Sequence, residues 1–169
     1  MLKTSIKYAP VCGLFMILIY HLSFRFGVNP QIDLSHLLFD LILLGLFIFF
    51  TAKDFKTYRN DGVFHFWQGM TIGFQVYMIA TVIFCLSQII YFTIDAEAVI
   101  NYREEATNFL KERSGLFIEK FGDEGYALQL EEIEKVGKWD LILGSSGKKL
   151  LAGFFITPVI SIILRKQPN

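Results

Sequence analysis

The stretch FWQGMTIGFQVYMIATVIFCLSQIIYFTI, Phe66–Ile94, contains no Asp, Glu, Lys or Arg. A helix rises about 1.5 Å per residue, so these 29 residues would extend about 43 Å. A bilayer's hydrocarbon core is about 30 Å thick. The segment is long enough to span with a tilt or to protrude on one side. A soluble domain has no use for an uncharged helix of this length, so the bilayer is the solvent from which the rest of the chain must be read.

Working outward, three further apolar runs flank it: Tyr8–Phe26, Leu34–Ala52 and Leu150–Leu164. The predicted spans are 8–26, 34–52, 66–94 and 149–165. The last is short, and Lys148, Lys149, Arg165 and Lys166 can snorkel at its ends; Pro158 predicts a kink in it. Hydrophobic residues make up 53% of the 169-residue chain and 18 are Phe, an excess that lipid-facing helices explain. The 16 basic and 16 acidic residues balance, so no nucleic-acid footprint is present. Cys12 and Cys85 are expected near opposite faces of the membrane, too far apart for a disulfide. Lys3 and Lys7 followed by an apolar stretch resemble a signal peptide, but no small-x-small cleavage site follows, so a retained anchor is expected.

The basic residues at span ends set the expected orientation. Lys3 and Lys7, then Lys53, Lys56 and Arg59, then Arg165 and Lys166 fall on one side of a four-span chain, which predicts cytoplasmic N- and C-termini. Arg25, Lys148 and Lys149 flank spans on the other side. The segment 95–147, which carries most of the charges, is expected outside the membrane as a helical hairpin. Tyr102, Ala106, Phe109, Leu110, Phe117 and Phe121 recur at helical spacing. Gly122-Asp-Glu-Gly125 is read as a break, an acidic second helix follows with Leu130, Ile133 and Val136 on one side, and Gly144-Ser-Ser-Gly147 is read as the turn into the last span. The fold class is therefore all-α: a four-helix transmembrane bundle with an extramembrane helical hairpin between spans three and four.

Ionisable residues within the spans are the candidate site, because they are costly there. The first span holds His21 and Arg25, the second His36 and Asp40, each pair at i, i+4 and hence on one helix face. Measured from the span midpoints, His21 lies roughly 6 Å outward and Asp40 roughly 4–5 Å, while Arg25 and His36 both lie roughly 10–12 Å outward. Asp40 is accordingly expected to face the first span and pair with His21 or Arg25. The same residues would suit a proton relay or a polar substrate pocket. Two His and an Asp could also ligate a metal, but no HxxxH or ExxH spacing accompanies them, and neither a metal nor a cofactor is expected. Gly69-Met-Thr-Ile-Gly73 is a small-xxx-small pattern that lets a partner backbone approach closely, either within the bundle or in a homodimer. There is no GxSxG and no glycine-rich phosphate loop.

Three features carry a resemblance to a known family: the basic loop and turn Tyr58-Arg-Asn-Asp-Gly leading into Phe66-Trp-Gln-Gly-Met-Thr-Ile-Gly-Phe, the charged helical insert after Asp95, and the short last span ending in Leu164-Arg-Lys. The chain resembles an uncharacterised family of small four-span bacterial inner-membrane proteins of Bacteroidetes type, classed as a domain of unknown function. Members often have Pro after the Asp, where this chain has Ala96. The resemblance implies the fold and a bacterial inner membrane, and brings no activity or site residue.

Three functions compete. The first is a non-enzymatic accessory or structural subunit, binding a protein partner or a second copy through 95–147. The second is a small transporter or proton-coupled carrier using the polar cluster around Asp40. The third, a membrane-embedded enzyme acting on lipid, has only the same residues to work with.

Overall fold

The computed structural model describes residues 1–33, 35–95 and 97–166. Leu34, where the second predicted span begins, and Ala96 lie outside the described residues. Among those described there are six helices: α1 Leu2–Arg25, α2 Ser35–Arg59, α3 Phe66–Ile94, α4 Ala98–Glu112, α5 Ser114–Lys135 and α6 Lys138–Leu164. Helices α1, α2, α3 and α6 are long and apolar enough to cross a membrane, which gives the all-α, four-span class expected from the sequence.

Local chemistry sets the helix ends. Gly27 takes φ +72°, and Val28 N–H and Gly27 N–H donate to Ser23 and Phe24 carbonyls at 3.0 and 3.1 Å, closing α1 in a Schellman turn. Asp61 and Gly62, both at positive φ, turn the chain between α2 and α3. His65 N–H then donates to Gln68 Oε1 at 2.9 Å, and Gly137 N–H donates to Asp140 Oδ2 at 2.8 Å. Both are the reciprocal half of a capping box. Asp95 Oδ1 accepts from Glu97 and Ala98 N–H, each at 3.1 Å, and so caps α4.

The chain divides into two compact units, 1–87 with 144–169, and 88–143. In the first, the helices form a closed ring of neighbours. Phe15 meets Phe47 between α1 and α2, and Gly45 meets Ile156 between α2 and α6. Gly69, Gly73 and Tyr77 of α3 meet Ser161, Thr157 and Gly153 of α6. Tyr20 of α1 meets Phe84 of α3. The α3–α6 seam pairs Gly69 and Gly73 with a run of small residues at every fourth position of the antiparallel α6, Ser161, Thr157 and Gly153, the last of which admits the Tyr77 ring. A Cβ added at Gly69 would lie 2.9 Å from Ser161 Cα, so the backbones touch. Such closeness matters in lipid, where burying another apolar side chain yields little and packing must supply the attraction. Gly69 and Gly73 thus sit against α6 within this unit.

The second unit holds α4 and α5. Arg103 of α4 donates through Nε and Nη2 to the Val136 carbonyl at 2.9 and 2.7 Å, tying α4 to the end of α5. The hairpin's boundaries differ from the sequence reading. The helix expected over 96–121 ends at Glu112, because Arg113 leaves helical geometry at φ −109°, ψ 17°. The expected break at Gly122 is present, at φ +74°, ψ 171°, but it lies inside α5. Gly144–Gly147, expected to be a turn, is helical, and α6 begins at Lys138 rather than at residue 149. Of the two shields that the apolar stripe predicts for Phe121, the segment 127–139 or the bilayer, the first leaves it exposed.

Candidate functional site

Asp40 is 4% exposed on the inner face of α2. Its partner is Lys149, 1% exposed on the inner face of α6, whose Nζ donates to both carboxylate oxygens at 2.8 Å. His36, one turn earlier on α2 and also buried, places Nδ1 3.6 Å from Asp40 Oδ2. The Lys149 ammonium stands 4.2 Å from the centroid of Phe84 on α3, whose ring face adds a cation–π attraction. The pairing expected from the sequence is corrected here: Asp40 faces neither His21 nor Arg25 as its ion-pair partner.

The correction has a physical cause in the register of α1. Its buried positions are Thr4, Ser5, Ala9, Cys12, Gly13, Met16 and Tyr20; the series Ser5, Ala9, Cys12, Met16, Tyr20 steps by three or four and directs Tyr20 inward. One residue further round, His21 is half-buried at the edge of the Tyr20 ring, 5.5 Å between centroids, and Arg25 is exposed. Tyr20 also packs edge-on against Phe24, His36 and Phe84 at 5.4, 6.0 and 5.3 Å. Gln31, in the α1–α2 loop, donates through Nε2 to the Tyr20 hydroxyl at 2.6 Å, and Lys148 donates to the Gln31 carbonyl at 2.8 Å. The loop is therefore fastened over the aromatic cluster by the neighbour of the ion-pairing lysine.

Of the four sequence candidates, the structure brings His36 and Asp40 together with Lys149, leaves His21 at the flank through Tyr20, and separates Arg25. Lys149 is the residue the sequence reading missed. A signal was present: Ser145, Ser146, Lys149, Ala152, Gly153, Thr157, Ile160, Ser161 and Leu164 repeat at three- and four-residue steps, and all are buried. Extending the period of the last apolar run backward places Lys149 on the packed face rather than at the lipid boundary.

A buried ion pair must offset several kcal/mol of desolvation per ion, and does so only with close geometry. Two 2.8 Å contacts and a ring face on the ammonium meet that condition. Nε2 of His36 and the hydroxyl of Ser146 are buried without a hydrogen-bond partner among the described residues. No group of three or more His, Cys, Asp or Glu among the described residues is arranged to hold a metal ion.

Over residues 7–166 the chain matches the family described as "Protein of unknown function (DUF4199)", and it belongs to that family. No curated protein and no solved structure matches it.

Proposed function

We propose that this DUF4199 chain is an accessory or structural subunit of a membrane assembly, without catalytic chemistry of its own, that meets a protein partner through the 95–147 segment. The observation that carries this reading is the Asp40–Lys149 pair. A carrier needs its charged residue to reach water and to exchange partners. Asp40 is instead buried and held through both oxygens by a buried lysine. The partner surface is supported by α5, which has no buried residue and exposes Leu116, Phe121 and Leu128. Photo-crosslinking from Leu116 and Leu128 in native membranes tests the assignment. One discrete cross-linked protein is expected, and recovery of the chain alone would refute it.

A second reading, a small transporter or proton-coupled carrier, is favoured by the unpartnered His36 Nε2 beside the ion pair. Proton or solute flux into liposomes that disappears in Asp40→Asn without loss of folding would support this reading over the first.

The proposed location is a bacterial inner membrane with both termini cytoplasmic, resting on the basic residues at the ends of α2 and α6. Cysteine labelling at Thr57 and Lys120, with Cys12 and Cys85 replaced by Ala, tests the topology. Modification of both from the same side would overturn it.

A further inference from the structure

We infer that the groove between the start of α1 and the end of α2 binds the headgroup of an anionic glycerophospholipid. One end of the first unit gathers four helix ends. Ser5 of α1 donates to Gln75 of α3 at 2.9 Å. Phe64, before α3, exchanges two 2.8 Å backbone hydrogen bonds with Lys166, after α6. Lys56 of α2 donates to the Leu164 carbonyl at 2.9 Å. Lys3, Lys7, Lys53, Lys56, Arg59, Arg165 and Lys166 fall at this end, against Asp54 and Asp61. The potential there is positive, and basic pockets between membrane helices are sites for anionic headgroups.

The groove itself has a volume of about 300 Å³ and is lined by Tyr8, Phe50, Lys53, Asp54, Thr57 and Tyr58. One lysine, Lys53, lines it, its Nζ 6.0 Å from the Phe49 ring centroid; Lys7 stands beside the lining, its Nζ 5.0 Å from the Tyr8 ring centroid and donating to the Tyr8 hydroxyl at 3.5 Å. Neither belongs to an ion pair among the described residues, whereas Lys56 is committed to a helix carbonyl. An ammonium has three N–H groups, so Lys7 keeps two beyond its bond to the Tyr8 hydroxyl for phosphate oxygens, beside those of Lys53 and the hydroxyls of Tyr8, Thr57 and Tyr58 in the lining.

The apolar side of the groove selects a lipid over a free phosphate. Phe50 in its wall is exposed, as are Val11, Leu14 and Leu46 further along the same two helices. Acyl chains would continue from the headgroup along these side chains. Asp54 is the one acid in the lining and opposes the anion.

Native mass spectrometry of the full chain, titrated with phosphatidylglycerol or phosphatidylcholine, reads the preference directly. The expected result is retention of phosphatidylglycerol over phosphatidylcholine, weakened about thirtyfold in Lys7→Gln/Lys53→Gln, since each surface lysine contributes about fivefold. Asp54→Asn is expected to retain phosphatidylglycerol more tightly than the native chain. Thermal unfolding in phosphatidylcholine alone checks that the variants fold. Should the double variant fail that check, Asp54→Asn decides by itself. Equal retention of the two lipids, a preference untouched by these substitutions, or displacement of the lipid by millimolar inorganic phosphate would overturn the inference.

Discussion

Replacing Lys149 by Met should destabilise the protein more than any conservative change at its lipid-facing surface. The substitution keeps the length of the side chain and removes its charge. Asp40 then remains 4% exposed with His36 Nδ1 at 3.6 Å as its nearest basic neighbour. Breaking a buried pair by removing one partner costs about 3–5 kcal/mol, because the other charge is left uncompensated. For a chain of this size each kcal/mol moves the melting temperature by about 2–4 °C, so a fall of about 6–20 °C is expected. Asp40→Leu strands Lys149 in the same way. Asp40→Asn should cost less, since the amide oxygen can still accept from Nζ. The double variant Asp40→Leu/Lys149→Met removes both charges of the pair and should recover most of the loss, an interaction energy of at least about 2 kcal/mol in the cycle. The assay is thermal unfolding of the purified chain in one detergent, followed by intrinsic fluorescence. If Lys149→Met costs less than about 1 kcal/mol, or if the double variant loses the sum of the two singles, the pair is not the compensated buried charge described here.

Three further outcomes follow from the packing. Gly73→Leu should prevent folding or lower the melting temperature severely, because even a Cβ would lie 2.9 Å from Thr157 Cβ in the α3–α6 seam; near-native melting would refute the close approach. Gly144→Ala should stabilise by about 0.5–1 kcal/mol, since the position is helical and a Cβ meets nothing within 4 Å; destabilisation would restore the turn expected from the sequence. Arg103→Ala removes both hydrogen bonds to Val136 and leaves that carbonyl to water, so hydrogen exchange over 98–136 should accelerate.

Much of the span architecture was legible because the bilayer imposes a length and a polarity on anything that crosses it. Helix α3 coincides with the uncharged run Phe66–Ile94, which stops abruptly at Asp95. The ends of α2 and α6 do not coincide with their apolar runs, for a shared reason. Both helices continue past the apolar run through polar residues, to Arg59 in α2 and back to Lys138 in α6. Hydropathy marks where lipid contact changes, not where backbone hydrogen bonding stops. Gly144 and Gly147 looked like a turn because glycine is permissive, yet the capping bond of Asp140 to Gly137 had already started the helix. The site was half legible. Rare charges in apolar spans pointed to His36 and Asp40, but depth alone does not say which way a side chain faces. The buried stripe Cys12, Met16, Tyr20 turns His21 aside, and the partner lay in a helix distant in sequence.

The position of that partner bears on what the pair does for the fold. Helices α2 and α6 run parallel, and their contacts keep a nearly constant sequence offset: 109 for Asp40–Lys149, 111 for Gly45–Ile156 and 108 for Lys56–Leu164. The middle contact is apolar, and a slip of one turn would replace it with another of similar quality. The two end contacts are not interchangeable. A one-turn slip, about 5.4 Å, would leave Asp40 opposite Ser145 or Gly153 instead of Lys149. An uncompensated charge in the interior costs more than a substitute apolar contact would contribute. We therefore hypothesise that the pair fixes axial register, as a single buried polar residue does in coiled coils. Spin labels at exposed Phe50 and Val159 read this register. The native chain should give one narrow distance, whereas the double variant, without the pair's charges, should retain most of its stability yet show a broadened or split distribution. An equally narrow distance in the double variant would mean that the small residues set the register and that the ion pair is retained for another reason.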